Sequence, residues 1–215
     1  MTYEWVDFDR SAVSQRYDRL AGLIPFFEWL LFLPRGLRKT AVDRLSLRPG
    51  DRVLEVGCGT GRNLPFLQKA VGAQGHVHGV DISGGMLREA SKLRSEQGWD
   101  NVSLAHADIA EFQAPAQLDG VLFGLSYNTI SHHVTALRRT WAQLRSGGRM
   151  VIMDAKVPPG RGGQLVLPFS VWLMKRTLMG NPYVRPWEHL EDVAGTVDME
   201  EFLFGSYYIC RAVKP

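Results

Sequence analysis

The sequence predicts a doubly wound α/β fold: a mostly parallel sheet of seven strands, helices on both faces, an antiparallel C-terminal edge strand and lid helices ahead of the sheet. Three observations predict it. From Arg52 onward, short β-rich runs alternate with helix-patterned runs. Directly after the first of those strands stand alternating glycines, in "VLEVGCGTGRN". Acids then close the next two strands, Asp81 in "VHGVDIS" and Asp108 in "AHADI".

Each element has its own signal. "RVLEVGC" is an apolar run of strand length, and "LPFLQKAV" carries helical spacing behind an early proline. "HVHGVDIS" repeats the strand pattern and "MLREASKLRSEQ" the helical one. "VSLAHADI" and "LDGVLFGLS" are two further strands, "VTALRRTWAQLRS" a helix, and "RMVIMDAKV" a fifth strand. After Val157 the pattern changes to a Pro/Gly loop, "PPGRGGQ", followed by the apolar, helix-like "LVLPFSVWLMKRTLMG". "VDMEEFLFGSYYICRAV" reads as a terminal strand pair that adds the antiparallel edge. Residues 1–48 are expected to form amphipathic lid helices and residues 49–215 the main domain, with 158–190 inserted in it, all within a single domain.

Composition narrows the class. An apolar content of 45% with 22% charged residues suits a globular chain rather than a disordered or membrane-spanning one. The net charge is only +3, but Arg10, Arg16, Arg19, Arg35, Arg38, Lys39, Arg44 and Arg48 interleave with the apolar "LIPFFEWLLFLP". That mixture suits an anionic surface, and equally a solvated rim around a core helix. The stretch from Leu20 to Leu33 holds Pro25 and Glu28 and is too short to span a bilayer. Cys58 and Cys210 are far apart and lack a paired Cys or His neighbour, so neither a disulfide framework nor a zinc site is expected. The acidic, aromatic start "MTYEWVDFDR" lacks a signal-peptide pattern, and a cytoplasmic location follows as the expectation.

Gly57, Gly59 and Gly61 stand where an open α/β sheet binds its ligand, at the carboxyl end of the first strand. A structural turn alone would also accept them. The dinucleotide fingerprint fails because Arg62 occupies the position of its third small residue, and the phosphate-binding loop fails for want of Lys followed by Ser or Thr. Glu55 before the loop and Asp81 after the second strand favour a ligand with a ribose, whose two hydroxyls match the two oxygens of a carboxylate. Asp108 could accept from an exocyclic amine, or simply cap a helix.

Taken in order, "VLEVGCGTGRN", "HGVDISGGML", "AHADI", "LDGVLFGLS" and "LRSGGRMVIMD" resemble the motifs of the Rossmann-like class I S-adenosylmethionine-dependent methyltransferases, from roughly Arg52 to Asp154. The resemblance implies S-adenosyl-L-methionine as cofactor and S-adenosyl-L-homocysteine as product. It implies that Gly57, Gly59, Gly61 and Asn63 surround the methionine part, with Glu55 near its aminocarboxypropyl end. Asp81 would hold the ribose, Met86, Asp108 and Ile109 the adenine, and Ile82, Gly124 and Leu125 would complete the cofactor set. Tyr17, in "RYDRL", resembles the Y-D pair that closes over the cofactor in many such proteins. No metal is expected.

The acceptor side follows the fourth strand, in "GLSYNTISHH". Tyr127, His132 and His133, together with Tyr17, are the catalytic candidates: a tyrosine can orient an amine and a histidine can take a proton near neutral pH. Both histidines could instead be exposed residues opening the next helix. The [DNS]-P-P-[FYW] element of base-amine methylases is missing there, and "NPY" at 181–183 lies past the fifth strand, so nucleic acid is not an expected substrate. The early "YD", the "RPGDRVLEVGCGTGRNL" entry and the terminal "SYYICRAVK" resemble bacterial phospholipid and betaine-lipid N-methyltransferases. That resemblance implies stepwise methylation of an amino-phospholipid at an anionic membrane, with peripheral attachment to its inner face. A soluble apolar acceptor, such as a quinone precursor or phenolic product, is the alternative, and a non-catalytic binding protein a third. The sequence leaves the oligomeric state open.

Overall fold

The computed structural model describes residues 10–23, 33–157, 180, 181 and 183–215. Of the insertion expected at 158–190, residues 158–179 and 182 lie outside the described residues, as does the apolar stretch 24–32. Seven strands are present: β1 (Arg52–Val56), β2 (His76–Asp81), β3 (Val102–His106), β4 (Leu118–Gly124), β5 (Leu144–Ala155), β6 (Asp198–Phe202) and β7 (Tyr207–Val213). The described helices are α1 (Arg10–Leu20), α2 (Leu37–Leu45), α3 (Leu64–Val71), α4 (Gly84–Glu96), α5 (His133–Gln143) and α6 (Pro186–Ala194). None of the described helices is long and apolar enough to cross a membrane.

The strands form one sheet in the order β3-β2-β1-β4-β5-β7-β6. β1 pairs in parallel with β2 on one side and β4 on the other, so the direction of winding reverses at β1. That reversal opens a crevice beyond the carboxyl ends of β1 and β4, where this architecture binds ligands. β1 can hold the centre because Val53, Leu54 and Val56 are fully buried, as a strand covered on both faces requires. On one face lie α2, α3 and α4, packing Leu37, Leu45, Leu64, Leu67 and Ala90 against Val53, Leu122 and Val151. On the other, Ala136, Leu137 and Trp141 of α5 and Leu190 of α6 cover Leu54, Val121, Phe123 and Ile152.

The terminal strand pair takes a specific form: β7 is inserted antiparallel between β5 and β6, pairing Tyr207 with Ala155 and Val213 with Arg149. β7 is therefore apolar on both faces, while β6, at the edge, carries Asp198, Glu200 and Glu201. Charges on an edge strand oppose further strand addition. β5 begins at Leu144, earlier than its apolar run, because Leu144 pairs with Leu118 ahead of a register shift.

The apolar patterning after Val157 gave no separate helix at α6, although its ends are marked in the sequence. Pro186 sits in the first turn, where a missing N–H costs nothing, and Gly195 closes the helix at φ 78° with its N–H on the Glu191 carbonyl. α6 is held by Trp187, whose ring meets Tyr208 edge-on at 5.3 Å with Lys156 over its face at 5.1 Å. Leu122, fully buried at the middle of β4, is a stringent test of this core. Leu122→Ala should lower unfolding free energy by about 3 kcal/mol, measured by urea denaturation at unchanged m-value.

Candidate active site

The turn after β1 is shaped by what crowds it. Gly57, Gly59 and Gly61 have φ of 64°, 54° and 83°, the left-handed region that costs a side chain dear. A Cβ on Gly57 would sit 2.6 Å from Ser126 Cβ, and one on Gly61 would sit 2.8 Å from Leu64 Cδ1. Gly59 differs: a Cβ there would meet nothing within 4 Å. Two of these glycines are therefore required by packing, whereas the third turns its bare backbone toward open space where a ligand can approach.

Asp81 locks this loop to the end of β2. Its Oδ2 accepts the Gly59 N–H at 2.7 Å and its Oδ1 the Ser83 N–H at 2.8 Å. Burial raises the carboxyl above its ordinary range, and the two backbone hydrogen bonds offset part of that rise. Each oxygen keeps acceptor capacity, so a vicinal diol can still bind both. Ser83 caps α4, its hydroxyl accepting the Met86 N–H at 3.1 Å, which sets the buried Met86 in the first turn. Ile82 uses its carbonyl to accept from Ser14 Oγ at 3.0 Å and stands 2.9 Å from His106 Nε2.

Beneath the loop lies a buried polar chain. Arg38 donates to Asn63 Oδ1 at 2.8 Å, and Asn63 Nδ2 donates to Glu55 Oε1 at 2.6 Å. Asn63 packs so closely on Gly124 that a Cβ there would fall 2.3 Å from Asn63 Nδ2. Asn63 and Gly124, both attributed to the cofactor from the sequence, thus have a packing role in this chain. Glu55 Oε2 is buried and has no hydrogen-bond partner among the described residues. Burial pushes the Glu55 carboxyl up to about 8, despite the Asn63 hydrogen bond and the Arg38 charge. An orphaned buried acceptor of this kind fits an ammonium, as the aminocarboxypropyl end of S-adenosylmethionine carries.

Asp108 and Ile109 follow β3. Asp108 Oδ1 accepts the Ala110 N–H at 2.8 Å, an Asx turn, and Ile109 is buried in the core. Beyond β4 the chain takes a strained path: Leu125 has φ 61° and donates its N–H to the Met153 carbonyl at 2.7 Å. That twist lets Ser126 donate to the Val56 carbonyl at 2.6 Å and lean over Gly57. Strain held by such over-determined bonding is typical of functional loops.

The acceptor-side candidates separate. Tyr127 is fully buried, its ring edge-on to Phe123 at 5.2 Å and its hydroxyl 3.1 Å from His189 Nδ1. It belongs to the core of the α5 and α6 face. His133 is half-buried, stacks on His189 at 5.3 Å, and is 3.0 Å from the Ile130 carbonyl through Nδ1. His132 is exposed and precedes α5. Of the four, Tyr17 is the one the fold sets over the crevice. Its hydroxyl bonds the Thr129 side chain and lies in the field of both Asp81 and Asp154, and burial raises it far above the ordinary phenol range.

Two acids escaped the sequence reading of the site. Asp18 follows Tyr17 and clamps α1 to α4: its Oδ1 accepts from Ser83 Oγ at 2.6 Å and from Gly85 N at 2.7 Å, which holds its carboxyl below the usual range. Asp154 ends β5, buried, taking the Asn128 N–H at 3.1 Å and its own neighbour's, Ala155, at 2.8 Å. Burial pushes its carboxyl up to about 7. Its position at a strand end, like that of Asp81, was the available signal.

Residues 53–148 match the family model described as Methyltransferase domain. Among curated proteins, the chain is similar to the demethylmenaquinone methyltransferase of Anoxybacillus flavithermus, 28% identical over 147 residues, 68% of this chain and 60% of that protein. It is similar to that of Staphylococcus aureus strain JH9 at 31% identity, over 68% of this chain and 58% of that protein. The chain thus spans about three fifths of the length of these relatives. Among solved structures, a SAM-dependent methyltransferase from Aquifex aeolicus superposes with TM-score 0.61 at 19% identity, covering 96% of this chain and 98% of that one. Haemonchus contortus phosphoethanolamine N-methyltransferase 2, in complex with phosphomonomethylethanolamine and S-adenosylhomocysteine, gives 0.75 at 18%, covering 94% and 60%. The fold is that of the class I methyltransferases.

Glu55 and Asp154 both hold protons in the folded chain that they would lose on unfolding, between the ordinary carboxylate range and about 7 to 8. Across that window the native state binds more protons, so stability falls as pH rises. The thermal midpoint should therefore drop between pH 5 and pH 8, and Glu55→Gln should flatten that slope in a differential scanning series.

Proposed function

We infer that this chain is an S-adenosylmethionine-dependent methyltransferase whose acceptor is the amine of a lipid headgroup, such as phosphatidylethanolamine. The observation that carries the reading is the position of the Tyr17 hydroxyl, fastened to Thr129 beyond β4 and lying between the fields of Asp81 and Asp154. Asp81 marks the ribose end of the cofactor, and Asp154 a second acid past it toward the acceptor side.

When bound, the cofactor supplies an electrophilic methyl on a positively charged sulfur. Glu55 Oε2 would take its ammonium, the Asp81 oxygens its ribose hydroxyls, and the Gly59 backbone would border its chain. Methyl transfer is an in-line displacement, so the chain's work is to place the acceptor nitrogen and exclude water. Tyr17, its hydroxyl kept protonated by burial and bonded to the Thr129 side chain, borders this space. The Asp154 carboxyl, buried at the end of β5 and taking the Asn128 N–H, is a second acid on that side. An amine must shed its proton before attack. The lid helix α1 closes this space because Asp18 pins it to α4.

The reading accords with a phosphoethanolamine N-methyltransferase among the solved structures of like fold, and with the basic, apolar N-terminal sequence. It places the protein at the cytoplasmic face of an anionic membrane. A second reading is favoured by the curated relatives named demethylmenaquinone methyltransferase, which would make the acceptor a ring of quinone type.

The deciding assay is transfer of radiolabelled methyl from S-adenosylmethionine to phosphatidylethanolamine and, in parallel, to a demethylated naphthoquinol. Label in the phospholipid supports the amine acceptor; label confined to the quinol replaces it with the second reading. In the same assay Asp81→Ala should abolish cofactor binding, seen as loss of the calorimetric signal, whereas Tyr17→Phe should retain binding and slow transfer about tenfold or more.

A further inference from the structure

The hairpin joining β6 to β7 carries two large apolar residues at its tip, Leu203 at 42% and Phe204 at 93% exposure. Phe204 is the most exposed large apolar side chain among the described residues. The turn is tight: the Gly205 N–H bonds the Phe202 carbonyl at 3.1 Å, so Leu203 and Phe204 are its two central residues. Their φ values are 48° and 55°. Hairpin turns with positive φ at both central positions favour Asn-Gly, because a bulky side chain is disfavoured there. Here the chain puts its two most solvent-averse side chains at the two positions least suited to them.

The tip is also fixed in place. Ser206 N–H bonds the Leu203 carbonyl at 3.1 Å, and Lys156 N–H bonds the Ser206 carbonyl at 2.8 Å. Tyr207 pairs with Ala155, the last residue of β5, so the turn projects beyond the carboxyl ends of the parallel strands. That is the end that carries the glycine loop, Asp81 and Thr129. From β4 to β7 there are two strand spacings, about 10 Å along the rim. The acids of the hairpin are neutralised: Asp198 and Glu200 meet Arg44, Asp198 also meets Arg211, and Glu201 meets Lys156. The finger therefore presents apolar surface without net negative charge toward anionic headgroups.

We propose that the Leu203–Phe204 tip inserts into the interfacial layer of a lipid bilayer and so brings the acceptor end of the sheet to the membrane. This inference rests on the lipid-acceptor reading and gives it a point of contact. Exposed aromatic and aliphatic side chains bind at the headgroup boundary by burying apolar area, aided by nearby cations.

The test compares the full chain with a Leu203→Asn/Phe204→Gly variant, which supplies the residues the turn itself prefers. Both are sedimented with vesicles of phosphatidylethanolamine and phosphatidylglycerol in equal parts, and methyl transfer to a short-chain, monomeric phosphatidylethanolamine is measured alongside. The expected result is vesicle binding that falls about tenfold or more in the variant, with its thermal midpoint equal or higher and its transfer to the monomeric lipid unchanged. Equal vesicle binding by both proteins, or none by the unaltered chain, overturns the proposal. A tip-dependent dimer on gel filtration without vesicle binding overturns it in favour of a second copy. Tip-dependent vesicle binding without transfer to any phosphatidylethanolamine upholds the membrane contact and removes the lipid acceptor instead.

Discussion

Two backbone N–H groups converge on the carboxylate of Asp81, and the functional end of the molecule is arranged around that convergence. One comes from the loop after β1 and the other from the start of α4, so one side chain fixes the first two crossovers of the sheet to each other. Ser83, positioned by this contact, then serves two partners: it caps α4 through the Met86 N–H and receives α1 through Asp18. Helix α1, the glycine loop, the end of β2 and the start of α4 are consequently one hydrogen-bonded unit. A carboxylate held by backbone donors and not by a cation keeps its remaining lone pairs for a ligand.

Buried acceptors border the crevice at both of its ends. Toward Glu55 it is a closed polar chain, Arg38 to Asn63 to Glu55, ending in an oxygen with no partner. Toward Asp154 the groups are carboxyl, amide and phenol: Asn128 Oδ1 and the Tyr208 hydroxyl lie beside one another, both buried and outside hydrogen-bond geometry. Both ends thus present acceptors in a poorly hydrated setting, and both raise carboxyl groups toward neutrality. Such a site favours cationic guests, because each ion that enters replaces a proton the acids would otherwise keep.

The hairpin of β6 and β7 connects this chemistry to the outer surface. Inserting β7 between β5 and β6 buries Tyr208 and Cys210 on the α6 face, alongside Asp154, and Ile209 on the other, while the turn stays outside at the rim of the crevice. Core and finger are parts of one continuous ribbon. The acids of the edge strand are each matched by a base, Arg44 of α2, Arg211 of β7 or Lys156 just past β5.

Local physics made much of this legible from the sequence. Apolar runs of strand length, separated by helical spacing, fixed β1 to β5 and the sheet's mainly parallel character, since burial on both faces leaves no other pattern. The glycines and Asp81 were legible too, because a turn without side chains and an acid at a strand end are signatures of short-range geometry. Tertiary structure alone decided the rest. Tyr127 looked like an acceptor-side residue by its place after β4, yet the positive φ of Leu125 two residues earlier turns its ring into the core toward His189, 62 positions on. Asp18 became an anchor only because α1 lies across Ser83, 65 residues away. Gly124 and Asn63, expected at the cofactor from the sequence, also pack on each other, a contact that no local pattern marks. Sequence determines which segments must be buried, because hydrophobic periodicity is a local record of burial; which polar side chains then meet depends on the crossing of segments far apart in the chain, and no local pattern encodes that.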